Sequence, residues 1–234
     1  MLGLRIAGLY SFPPQRFGLC GMAREKADLF EMLIENRIEN LKEVLKTFQG
    51  AFLYYSLIAK ENKIKDPFDK RVVRAYWIGN NFLEKVKVSK LKEMVAKDFK
   101  KLKLARNLPE NSICHHSFHV LVAGPIQKDL ILTEGMKDLC KISWGKVLKI
   151  LDNKLHIKNL IVEYQPLLKE KEWFLGKSIK RKIFYHKKIL PKIKIGDFVS
   201  FHWDFAIEKL SKKDLENLEK YTKISIEIAN YLKK

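Results

Sequence analysis

Ile195-Gly-Asp-Phe-Val-Ser-Phe-His-Trp-Asp-Phe-Ala-Ile-Glu-Lys-Leu210 is the stretch that decides the fold. Gly196-Asp197 reads as a turn, and Phe198–Phe205 that follows is rich in β-branched and aromatic residues, so it predicts a strand. Alternation puts Phe201 and Trp203 on one face and His202 on the other. Downstream, Ser211–Leu232 predicts a closing helix. Its first turn, Ser211-Lys-Lys-Asp214, is close to a capping box, and Leu215, Leu218, Tyr221, Ile224, Ile228 and Leu232 share one face. Upstream, Lys141–Leu151 and His156–Tyr164 read as strands joined by an Asp152-Asn153 turn. Ile179–Phe184 is a further strand, and Ser117–Ala123 is a short β-rich run ending at Gly124-Pro125. Short strands followed by one helix predict a small OB-like β-barrel over 138–234.

The first half has a different period. Ala23–Phe48 reads as one amphipathic helix, and Ala51–Lys60 as a second. A third starts at Asp66-Pro67 and runs through Leu83, and a fourth, capped by Ser89, carries Leu91, Val95, Phe99 and Leu102. The expected class is therefore α+β. A helical bundle over 1–110 and a connecting segment over 111–137 precede the barrel with its C-terminal helix.

Hydrophobic residues make up 47% of the 234, so a packed core is expected and disorder is not. The net charge is +19, spread over both halves, which favours acidic partners without by itself implying nucleic acid. Three cysteines, Cys20, Cys114 and Cys140, are too few for a disulfide framework and imply reduced thiols in a cytoplasmic chain. Arg5 and Pro13-Pro14 interrupt the mildly apolar first residues, so no signal peptide is expected. No apolar run is long enough to cross a membrane.

Two blocks carry a resemblance. Cys140-Lys-Ile-Ser-Trp-Gly145-Lys-Val-Leu-Lys-Ile150 is similar to the opening of HypC chaperones, Cys-x-x-Ile-Pro-Gly followed by Lys/Arg-Val-x-x-Ile. Ile195–Leu210 resembles their Val-Gly-Asp-Tyr-Val-x-x-His-x-Gly-Phe-Ala-Ile-x-Lys-Ile. The likeness covers about the last two fifths of the chain. HypC proteins, with the partner HypD, carry an iron cyanide/carbonyl fragment to the immature large subunit of [NiFe] hydrogenase. The resemblance implies a non-enzymatic accessory protein in which Cys140 and His202 hold iron. Its partner would be a hydrogenase-like large-subunit precursor or a HypD-like protein. Thiolate and imidazole suit ferrous iron with strong-field ligands, and Lys141 and Lys146 would favour the thiolate. The sequence departs from the pattern in three places. The cysteine follows 139 residues rather than the initiator Met, Trp144 replaces the Pro, and Lys154–Lys194 is longer. The whole chain also resembles an uncharacterised prokaryotic family with blocks like Ala75-Tyr-Trp-Ile-Gly-Asn80 and His115-His-Ser-Phe-His119. Apart from the likeness, Cys140 reads equally as a small buried hydrophobe, and His202 as a half-exposed strand residue.

Cys114-His115-His116-Ser117-Phe118-His119 concentrates four potential ligands in six residues. Extended, it places Cys114 and His116 on one face and His115 and His119 on the other. Helical, it pairs His115 with His119. Zinc is the metal such a cluster would take, with Cys20 as a distant ligand, and a metalloenzyme is the corresponding alternative. A further alternative is nucleic-acid binding by the basic hairpin 177–192, through Lys180, Arg181, Lys182, Tyr185, Lys187 and Lys188. Trp144, Gly145, Trp203, Asp204, Arg71, Arg74 and Trp77 are candidate partner contacts. Arg71 and Arg74, one helical turn apart, are able to grip an anion or to pair within the protein.

Overall fold

Alternation along two short strands divides the protein into a barrel and a helical layer. The computed structural model describes residues 2–37, 39–126, 130–151 and 157–233. Strands β1 (Ser143–Leu151), β2 (Ile157–Tyr164), β5 (Ile179–His186), β6 (Phe198–His202) and β7 (Phe205–Lys209) close a barrel in the order β1-β2-β5-β7-β6. A small hairpin, β3 (Leu167–Lys169) with β4 (Trp173–Leu175), lies outside it. On β6 and β7, Val199, Phe201 and Ala206 point into the barrel core with Val147, Leu160, Val162 and Ile183. Ser200, His202, Phe205 and Ile207 point the other way, toward the helices. The mixed α+β class, the barrel and the closing helix thus agree with the sequence pattern.

The expected strand 198–205 is corrected to two strands. Trp203 and Asp204 form a two-residue turn with φ of 48° and 58°. Positive φ at both positions matches the twist of an antiparallel pair, although Asn-Gly would adopt it with less strain. Backbone bonds hold the turn: Trp203 N–H donates to Leu139 O (2.9 Å), and Phe184 N–H to Asp204 O (2.7 Å). The expected Asp152-Asn153 turn lies outside the described residues.

The first half also differs from the expected four helices. Helices of 6 to 14 residues occupy it: α1 (Leu2–Gln15), α2 (Leu29–Ile34), α3 (Leu41–Lys46), α4 (Gln49–Glu61), α5 (Lys70–Trp77), α6 (Val88–Lys97) and α7 (Leu102–Asn107). The helix expected over 23–48 is broken because Asp28 caps α2, bonding Phe30 N and Glu31 N, and Asn36 turns the chain at φ 58°. Asp69, not Asp66, caps α5. The β-rich run 117–123 is instead a short helix α8 (His116–Phe118) leading into a π-helical turn, His119–Ala123. Tertiary burial of Val120 and Leu121 overrides their strand propensity. Then come α9 (Glu134–Cys140) and α10 (Lys212–Tyr231), the latter with the anticipated Ser211/Asp214 capping box.

One core runs through both halves: Tyr10, Phe12, Trp77 and Ile78 pack with Phe205, Ile207, Leu218 and Tyr221. Polar ties follow the same seam. The Tyr10 hydroxyl bonds Ser200 Oγ (2.8 Å) and Glu208 Oε1 (2.7 Å), and Arg74 spans Glu208 (2.8 Å) and Asp214 (2.5 Å). At the end of α5, Gly79 has φ 95°, and its carbonyl accepts from Asn217 Nδ2 (3.0 Å). A Cβ there would lie 2.0 Å from the Tyr221 ring. Gly79→Ala therefore combines left-handed strain with overpacking and is expected to cost about 3 kcal/mol, read as a lower midpoint in urea unfolding. An unchanged midpoint would contradict this seating of α10.

A candidate metal centre between barrel and helices

Pro14 sets one side of the site. It lies within α1, and having no N–H it leaves the carbonyl of Tyr10, four residues back, without its helical partner. That carbonyl accepts from His202 Nδ1 (2.7 Å). The bond fixes the tautomer, so Nε2 carries the free lone pair. Nε2 is buried and has no partner. His202 is 1% exposed, not half-exposed.

Cys140 is the last residue of α9, and its carbonyl accepts from His116 Nε2 (2.8 Å). His116 Nδ1 in turn accepts from the Tyr76 hydroxyl (3.0 Å). α8 is keyed onto α10 by Ser117 Oγ and Thr222 Oγ1 (3.0 Å), which turns His116 inward over Trp77, with ring centroids 4.4 Å apart. Ligand atoms of His116, Cys140 and His202 all lie within 4.8 Å of one another, and all three residues are buried.

They open on a cavity of about 230 Å³, lined also by Cys20, Tyr76, Trp77, His119 and Trp203. The turn at Trp203 explains why successive residues His202 and Trp203 reach the same space. Positive φ breaks the strict alternation expected from the sequence. Trp203 Nε1–H is a second buried polar group without a hydrogen-bond partner, and it lies close enough to the Cys140 sulfur to favour the thiolate. Orphaned polar atoms are uncommon in native interiors, and two here converge beside one thiol.

Burial keeps this site uncharged. It pushes the Cys140 thiol well above its ordinary range, with the nearby Cys20 adding to the rise and Trp203 opposing it. Burial pulls His202 and His119 down to about 4. His116 lies well below its usual value, through burial first and then its histidine neighbours. The expected help from Lys141 and Lys146 is absent. Lys141 Nζ turns away to Ser143 Oγ (2.7 Å), burial lowers its pKa to about 8, and Lys146 is exposed.

The two sequence constellations thus meet only in part. His116 joins Cys140 and His202, and His119 lines the cavity outside the triad. Cys114 is packed in the core, and His115 caps α8 through Nδ1 to Ser117 N and stacks on Tyr221. All three cysteines are free. Arg71 and Arg74 do not converge on one anion, since Arg71 pairs with Asp69 (2.9 Å) and Arg74 with Glu208 and Asp214. Among the other candidate partner contacts, Trp77 and Gly145 are buried, Trp144 is half-buried, and Asp204 accepts from Arg181 (2.9 Å). In the basic hairpin, Arg181 is tied to Asp138 (3.1 Å) and Tyr185 faces the barrel interior. Lys188 reaches Ile34 O (3.3 Å), while Lys180, Lys182 and Lys187 are exposed. Tyr10 and Pro14 escaped the sequence reading. The Pro13-Pro14 pair signalled them but read as a terminator.

A family model described as "Family of unknown function (DUF6390)" matches residues 2–234. No curated protein matches the chain. No solved structure matches it.

His115, His119 and His202 are neutral when folded, with pKa values of about 3, 4 and 4 against 6.5 when unfolded. The unfolded chain therefore binds more protons between these limits, and stability falls as pH drops from 6.5 toward 4. Thermal unfolding of chelator-treated protein should show Tm falling across this window, less so in His115→Gln. A flat Tm profile would contradict neutral burial.

Proposed function

We propose that this chain, which belongs to the DUF6390 family, is a HypC-like accessory protein that holds a transition-metal ion, iron first, and passes it to a metalloenzyme precursor. The observation that carries this reading is the convergence of Cys140, His202 and His116 within 4.8 Å. Two of them are the residues that the HypC likeness selects, and they come from α9 and β6. The third comes from the separate Cys-His block.

The residues present fit a soft divalent metal. His202 offers Nε2 while a backbone carbonyl holds Nδ1–H, the arrangement that orients metal-bound imidazoles. It is already neutral, so binding releases no proton from it. Cys140 must lose its thiol proton to the solvent, and affinity rises with pH for that reason. Trp203 Nε1–H would donate to the resulting thiolate. His116 becomes a ligand only by giving up its bond to Tyr76 or to Cys140 O. The cavity leaves room for small exogenous ligands on the metal. Release would follow replacement of Cys140 by a thiolate of the recipient.

Protein co-expressed with hydrogenase-maturation proteins and purified anaerobically should contain iron and absorb in the cyanide and carbonyl stretching region. Cys140→Ala should lose the bands and most of the iron, and His202→Ala should lower metal content at least tenfold. Zinc without those bands would leave a metal site but remove the HypC reading. Metal retained at the wild-type level in Cys140→Ala would remove this site altogether.

A second reading rests on the outer face of β1, β2 and β5. Cross-strand register sets Lys146, Glu163 and Lys180 in one row, and Lys149, Ile161 and Lys182 in the next. The exposed Phe184 follows on β5. Two lysine rails on either side of Glu163 and Ile161 suit a single-stranded nucleic acid, with a base stacking on Phe184. Reversing Lys146, Lys149, Lys180 and Lys182 to Glu should abolish binding of a labelled oligonucleotide and flatten its salt dependence. Lys97→Glu/Lys103→Glu, remote on α6 and α7, should change it little. A loss from the remote pair in proportion to its smaller charge change would reduce the binding to net charge alone.

A further inference from the structure

Cys20 is the second thiol on the cavity wall, and the metal reading above leaves it unused. Its segment is built rather than loose. The buried Gln15 amide donates to Met22 O (2.9 Å) and Ala27 O (2.7 Å), and Met22 N–H donates to Thr47 Oγ1 (2.9 Å). Just before Cys20, Leu19 N–H donates to Pro14 O (3.1 Å), and Leu19 packs in the small cluster that contains Cys140 and Trp203. The Phe17 ring lies 5.3 Å from that of Trp203. The backbone on either side of Cys20 is thus anchored against the same wall as Cys140.

We propose that Cys20 supplies a second thiolate, completing a Cys2His2 metal site with Cys140, His116 and His202. This inference rests on the metal reading and adds a donor from the N-terminal half. Charge favours it. A divalent ion on one thiolate leaves a buried positive charge, which is costly in a dry interior. No carboxylate lines the cavity among the described residues. The Cys20 sulfur is the soft anionic donor available to cancel the charge. His202 Nε2, buried and without a partner, marks the point on which the donors converge. A tetrahedral set of two sulfurs and two nitrogens suits zinc or ferrous iron.

Cys20 lies outside the 4.8 Å group, so it must move inward as the metal enters. Gly18 and Gly21, at φ 67° and 75°, flank it; a side chain at Gly18 would meet nothing within 4 Å, whereas Gly21 is packed on the Phe48 ring, so the freedom lies on the Gly18 side. The movement is a local adjustment between two anchors. On binding, each thiol gives its proton to solvent and its lone pair to the metal, with no change of oxidation state.

The test is anaerobic titration of the chelator-treated full-length protein with Co(II), followed by its thiolate-to-cobalt charge-transfer absorption. Wild type should show the visible bands of tetrahedral cobalt and the charge-transfer intensity of two thiolates. Cys20→Ser should still bind, with about half that intensity and affinity at least ~10-fold weaker. Cys140→Ser, carrying the same single-atom change, should give a matching loss of intensity. Unchanged intensity and affinity in Cys20→Ser would overturn the proposal and leave the three-residue site intact. Failure of wild type to take up cobalt would overturn both. Circular dichroism of each variant checks that the fold is kept.

Discussion

The bond from His202 Nδ1 to the Tyr10 carbonyl joins the two halves of this protein at their most consequential point. It exists because Pro14 cannot donate to that carbonyl. A residue with an N–H at position 14 would restore the helical bond and leave the imidazole to compete for the same oxygen. The proline thus converts a routine helix carbonyl into an acceptor for the barrel wall. Around it, Tyr10 stacks on Trp77 and ties Ser200 and Glu208 through its hydroxyl, so α1 is riveted to β6 and β7 at several atoms. The position of the candidate site follows from this seam.

The same seam explains the electrostatics. The histidines of the cavity are buried deeply enough to stay neutral, and the thiols to stay protonated. A neutral, partly orphaned donor set stores no repulsion of its own, yet it holds lone pairs and an indole N–H without partners. Strain is added at Trp203 and Asp204, where non-glycine residues adopt positive φ. These costs fall on successive residues beside one thiol. Unsatisfied donors and strained backbone tend to occur together where a protein is prepared for a ligand.

Much of the barrel was legible. Period-two alternation gave β1, β2 and β5 to within a few residues, and the Ser211/Asp214 capping box placed α10. Cys140 and His202 stood out through the likeness of their flanking blocks. What failed had physical causes. Trp203-Asp204 carries no glycine or asparagine, so the tight turn between β6 and β7 read as continuous strand. Val120 and Val122 suggested strand, although packing against α10 imposes a π-helical turn. Pro13-Pro14 read only as the end of the mildly apolar first residues, and nothing local announced that His202, 188 positions later, would use the freed carbonyl. Which residue of the Cys114–His119 cluster would join Cys140 and His202 was not legible for a similar reason: only tertiary contact separates His116 from His115.

X-ray absorption at the metal edge of the loaded, anaerobically prepared protein tests the central claim most directly. The account predicts a first shell containing sulfur at about 2.3 Å together with imidazole nitrogen at about 2.0–2.1 Å, with the sulfur contribution reduced when Cys140 is replaced. A shell of nitrogen and oxygen alone, or one indifferent to Cys140, would contradict it.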